Sequence, residues 1–171
     1  MLSTFLLIDM YQNLILLVIN FFDFFHKKKI INFLKVLQIK NFDIFFDIGA
    51  HKGESIELFA KNFKIKKIFS FEPSPLNFKY LKKNKKKFKK KFSDTRIILE
   101  NFALGSQNKL STIKHFTESS SSTINDINEN SNYFKKKYKL LNLFKKKKYY
   151  TNLKIKIIKL SEYLKIKKLK K

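Results

Sequence analysis

The 171-residue chain has no cysteine and no tryptophan, only three glycines and only two prolines. Without cysteine there is no disulfide, no thiolate metal site and no cysteine nucleophile. Arginine is nearly missing as well: of 38 basic side chains only Arg96 is an arginine, whereas base-edge and phosphate recognition favours the guanidinium fork. Acids are few, 13 in all, which leaves a formal charge of +25. A charge of that size ordinarily points to nucleic acid or an anionic membrane. Here lysine rises together with Ile, Asn, Phe and Tyr, which share A/T-rich codons. That pattern reads as drift toward lysine on solvated faces and disfavours a nucleic-acid partner. At 44% apolar and 16% aromatic, the chain has material for one packed core without covalent staples. With glycine so scarce, each one is expected where only glycine will do.

Residues 1–39 read as an amino-terminal amphipathic helical segment. Between Phe5 and Phe25 the polar residues Asp9, Gln12, Asn13, Asn20 and Asp23 fall within a helical stripe of roughly 100°, which leaves a broad apolar face. The longest apolar run, Leu14 to Ile19, is far short of the ~20 residues that span a bilayer, and Asp9 would be costly there. No basic start or small-residue cleavage site marks a signal peptide. Two readings stay open: a helix packed on the main domain, or peripheral membrane contact through residues 5–29, with Lys27, Lys28 and Lys29 meeting lipid head groups. The expected location is the cytoplasm, membrane-associated in the second case.

The chemistry begins at Phe42. A β-rich run to Ile48 meets Gly49, Ala50, His51, Lys52 and Gly53, after which Ile56, Phe59, Ala60 and Phe63 recur at helical spacing. A second strand, Lys67 to Phe71, ends in Glu72-Pro73. Glycines at such a strand-to-helix turn let backbone approach a ligand, the helix start offers N–H groups, and an acid ending the next strand can accept paired hydroxyls. Ser74 and Pro75 then suit a helix start, with Phe78, Leu81, Phe88 and Phe92 on one face, and Ile97 to Leu99 reads as a third strand. Alternating strands and helices predict an α/β domain over residues 40–171 with a mostly parallel sheet, whose ligands bind at the carboxyl ends of the strands. Asp47, Glu72 and Asn101 would lie there. The loop lacks the G-x-G-x-x-G spacing, which disfavours a nicotinamide enzyme.

The runs Phe46 to Gly53 (FDIGAHKG), Phe71 to Pro75 (FEPSP) and Asn101 to Gly105 (NFALG) resemble the FkbM family of S-adenosylmethionine-dependent methyltransferases. The resemblance covers roughly residues 40 to 164. It implies a Rossmann-like methyltransferase fold, S-adenosylmethionine as cofactor, and methyl transfer to a hydroxyl of a small-molecule or glycan acceptor. By it, Asp47, Gly49, Ala50 and Gly53 would face the methionine part of the cofactor, and Glu72, next to Pro73, would hold the ribose hydroxyls. Asn101 and Ala103 would lie on the adenine side. His51 stands where the family has asparagine or histidine, a place for shaping the loop or meeting the cofactor rather than moving a proton. His115 is expected at the surface. No spacing of His, Asp or Glu suggests a metal site, and no catalytic base is assigned.

The polar stretch Glu118 to Asn125 is read either as a border of the cofactor or acceptor site or as a flexible linker. Residues 126–150 show no sharp period. Leu153 to Ile157 alternates like a strand, and Leu160 to Leu164 resembles a family element with Ser161 in place of the usual aspartate. The family's next strand, with a Lys-Ile-Asp-x-Glu-Gly pattern, is not met before Lys171. The expectation is therefore a truncated domain that keeps the cofactor half, with its sheet incomplete at the carboxyl-terminal side and turnover left open, since the residues that place the acceptor are expected in the missing half. The rival from another class is a noncatalytic basic protein adhering to anionic membrane or nucleic acid.

Overall fold

A computed structural model describes residues 25–116, 122–141 and 150–168, so the stretch from Phe5 lies outside the described residues up to position 24. The chain divides into two compact units, one within residues 1–39 and 127–149, the other within residues 40–126 and 150–171. In the first, residues 25–36 form helix α1. Among the described residues no helix is long and apolar enough to cross a membrane.

The second unit is built on a parallel sheet. Strands β1 (Asn41–Ile48), β2 (Lys64–Phe71) and β3 (Arg96–Glu100) lie in the order β1-β2-β3, linked by helices α2 (Glu54–Asn62) and α3 (Pro75–Lys91). A strand order that advances in one direction places successive crossover helices on the same face. Glu57 of α2 accordingly pairs with Lys87 and Lys91 of α3. Ile56, Ile68 and Leu81, all fully buried, fill the layer between these helices and the sheet, and Phe45 of β1 stacks on Phe59 of α2. Burying each such side chain is worth about 1.5–3 kcal/mol. Helix α3 starts as its sequence dictates: the Ser74 hydroxyl accepts from the Asn77 N–H, and Pro75 fills the first turn, where a missing N–H costs nothing.

The opposite face of the sheet carries Phe46, Phe69 and Phe71 in near-parallel stacks. It is covered by a second sheet in the order β4-β6-β5, made of β4 (Ala103–Gly105), β5 (Lys109–Phe116) and β6 (Tyr150–Lys159), together with helix α5 (Leu160–Ile166). β4 runs parallel to β6 and β5 antiparallel to it, so the expected mostly parallel arrangement holds for the first sheet and not for the second. Tyr163 of α5 joins the stack edge-on against Phe69, Phe71 and Phe102. Its hydroxyl donates to Glu100 Oε1 at 2.9 Å, and burial together with that carboxylate pushes the phenol up.

In the first unit, residues that showed no period form helix α4 (Asn132–Leu141). Its start is set by Ser131, whose hydroxyl accepts from the Phe134 N–H.

Candidate functional site

The carboxyl ends of β1, β2 and β3 come together around the Gly49–Gly53 loop. Gly49, His51 and Gly53 all have positive φ, at 87°, 49° and 98°, so three left-handed residues in five turn the chain from strand into helix. The two glycines answer different needs. A Cβ on Gly49 would meet nothing within 4 Å, so its backbone stands open to a ligand, whereas a Cβ on Gly53 would lie 2.6 Å from the Phe88 ring. Gly53 is thus required for α2 to pack on α3, and Gly49 for the turn alone.

Every N–H from Gly49 to Gly53 is already engaged. Those of Gly49 and Ala50 donate to the Phe71 carbonyl at 2.9 and 3.0 Å, and that of Gly53 to the Ala50 carbonyl at 2.7 Å. His51 N donates to Glu72 Oε2 at 2.8 Å and Lys52 N to Glu54 Oε2 at 3.1 Å. The free N–H groups that a glycine loop before a helix usually offers are therefore not found across these five residues. A loop closed in this way is no cradle for phosphate oxygens, which need such donors.

Three carboxylates surround the loop instead. Asp47, at the end of β1, is 6% exposed, and its Oδ2 has no hydrogen-bond partner. Burial pushes it up to about 6, against the hydroxyls of Ser55 and Ser70, with the charges of Glu54 and Glu72 adding to the rise. Ser70, its partner in register on β2, is fully buried, and its hydroxyl acts on Asp47 from outside hydrogen-bond geometry. Glu54 behaves differently. Burial alone would raise it, but the His51 ring at 3.0 Å and nearby backbone N–H groups hold it down to about 2. Glu72, 5% exposed, is raised by burial despite accepting from Ser74 N at 2.9 Å and from His51 N.

Glu72 therefore ties the glycine loop to the start of α3. Asn101 secures the same turn from β3, its Nδ2 donating to the carbonyls of Glu72 at 2.8 Å and Pro73 at 3.3 Å. Pro73 and Asn101 also line an open groove of about 500 Å³ that continues along β5 and β6 past Ser111 and Lys156. The predicted residues Asp47, Gly49, Ala50, His51, Gly53, Glu72, Pro73 and Asn101 thus form one connected cluster. Ala103 stands apart, in β4, half-buried against the Ile113, Ile155 and Ile157 core.

Sequence reasoning missed three contributors. Ser55 and Ser70 flank Asp47, and no local pattern distinguishes them from other serines. His115 was expected at the surface. It is half-buried in β5, with Nδ1 3.1 Å from the Ser74 hydroxyl and 3.3 Å from that of Ser122, because β5 passes beside the turn that starts α3. The polar stretch containing Ser122 returns on β5 through a bridge between Lys114 and Thr123, while residues 117–121 lie outside the described residues.

No curated protein and no solved structure matches the chain. The methyltransferase FkbM domain matches residues 47–170, a span that runs from Asp47 at the tip of β1 past the end of α5. With that match over most of its length and this cluster at the ends of its parallel strands, the chain belongs to the FkbM methyltransferase family.

Proposed function

We propose that the tip of the parallel sheet binds S-adenosylmethionine within a Rossmann-like methyltransferase domain, and that the chain serves methyl transfer to a hydroxyl of a small-molecule or glycan acceptor. The observation that supports this most is the charge and donor balance of the loop. Its five N–H groups are engaged, and it is ringed by Asp47, Glu54 and Glu72, one of them buried with an orphaned oxygen. Such a site repels phosphate, and with it a dinucleotide, and suits a ligand that carries positive charge beside neutral hydroxyls.

S-adenosylmethionine, when bound, supplies a methyl group on a positively charged sulfur. Asp47 fits the ammonium at its methionine end, which the demethylated product keeps: the unpartnered Oδ2 gains a partner, and the cost of keeping a buried carboxylate charged falls. Glu72 fits its ribose. Each carboxylate oxygen has roughly two acceptor positions; the amides of Ser74 and His51 take one on each and the Asn77 side chain takes a third, leaving a position for a ribose hydroxyl. Gly49 keeps side-chain bulk away from the loop, and Pro73 with Asn101 presents a firm wall to the open groove.

Calorimetry with S-adenosylmethionine, its demethylated product and a nicotinamide dinucleotide tests the reading. The first two are expected to bind and the third not, and Glu72→Ala weakens binding by at least about tenfold through loss of charge-assisted hydrogen bonds. A folded chain that ignores both sulfur ligands, or binds them equally with Glu72→Ala, sinks it.

A further inference from the structure

We infer that His115 is a positioning residue of this site, acting through Ser74 on Glu72; the inference rests on the cofactor reading above. Ser74 is fully buried and, besides its carbonyl that accepts from the Phe78 N–H, holds three connections at once. Its N–H donates to Glu72 Oε1 at 2.9 Å, its hydroxyl oxygen accepts from the Asn77 N–H at 3.4 Å, and the same oxygen lies 3.1 Å from His115 Nδ1. A hydroxyl that accepts from a backbone N–H still has its own proton to donate. Besides the Asn77 N–H, the nitrogen at hydrogen-bond distance from it is Nδ1, and we take Nδ1 as the acceptor of that proton, with the ring proton on Nε2.

The capping bond of Ser74 is long, so the hydroxyl is not fixed by α3 alone. His115 supplies the second point. It comes from β5, 41 residues away in sequence, and the Ser122 hydroxyl at 3.3 Å steadies the same ring nitrogen. Ser122 in turn accepts from the Phe116 N–H at 3.3 Å, so the polar return segment is part of the support. The chain of contacts from Ser122 through His115 and Ser74 to Glu72 sets where the carboxylate points, and thereby how tightly the ribose is held.

The test uses the 171-residue chain, with binding of the demethylated cofactor read by calorimetry. His115→Ala is expected to weaken binding about tenfold, the loss tied to one well-placed hydrogen bond. His115→Asn, which can present an acceptor near the Nδ1 position, restores most of it. Ser74→Ala combined with His115→Ala weakens binding no further than the stronger single change, because both act through one contact. Imidazole 15N spectra give an independent signature: the His115 Nδ1 signal is that of an unprotonated, hydrogen-bond-accepting nitrogen, and it shifts in Ser74→Ala. Unchanged affinity in His115→Ala, fully additive losses, or a protonated Nδ1 overturns the inference while the cofactor reading stands. Absence of binding in the parent chain overturns both.

Discussion

The tip of the parallel sheet and the outer face of α3 carry charge in opposite ways. Along α3, nine of 17 residues are lysines, and all but the half-buried Lys85 are exposed. At the tip, Asp47 and Glu72 are more than nine-tenths buried, and burial raises both. Surface charge is easily substituted because water screens it, and exposed ion pairs are worth little. A buried carboxylate is retained against a cost of several kcal/mol. In a chain of +25, the few buried acids therefore say more about function than the many exposed lysines.

The largest expected effect sharpens this contrast through the backbone that shapes the tip. Gly53→Ala forces a side chain into left-handed backbone and against Phe88, and is expected to destabilise the fold by about 3 kcal/mol. Gly49→Ala meets the strain without the clash, at about 1–2 kcal/mol. Denaturant melts of the two variants measure the difference, and equal losses would mean that α2 and α3 do not meet at Gly53.

Next comes Asp47. Its native value of about 6 lies above the ordinary carboxylate value of 3.8. Between those two pH values the unfolded chain has released the proton and the folded one has not. Stability therefore falls as pH rises through this window and stays reduced above it. Asp47→Asn removes that burden and is expected to raise stability at pH 7 by about 2 kcal/mol, visible as a higher denaturation midpoint, while weakening the ligand. Stabilisation bought at the expense of binding is what a functional buried acid predicts. A loss of both would make Asp47 a structural residue.

Tyr163→Phe removes the hydroxyl bonded to Glu100 and should cost about 1 kcal/mol without altering binding. Replacing Lys82, Lys86 and Lys90 on α3 by glutamine is the smallest change, within about 0.5 kcal/mol. A large loss from that triple change would break the comparison by showing that the lysine face is structural.

Much of this site could be read from the sequence, for identifiable reasons. Strong β-formers ending at Gly49, the Ser74-Pro75 start of α3 and the apolar face through Leu81 and Phe88 are local patterns, and the structure follows them. Asp47, Glu72 and Asn101 were placed together because parallel strands end on one side. What could not be read depends on distant contacts. The closed N–H groups of the loop need the Phe71 carbonyl from the neighbouring strand, and the Ser74–His115 contact joins segments 41 residues apart. Helix α4 was missed for a different reason: its lysine and aromatic clusters blur the period.

The most direct test of the central claim is the affinity for the demethylated cofactor measured from pH 5 to pH 8 in the parent chain and in Asp47→Asn. A buried carboxylate that receives the ligand's cationic end must be ionised to do so. Parent affinity should therefore rise about tenfold as pH passes through the Asp47 value of about 6 and then level off, and Asp47→Asn should remove most of that rise. An equal rise in both proteins, or no binding by a folded parent, would contradict the account.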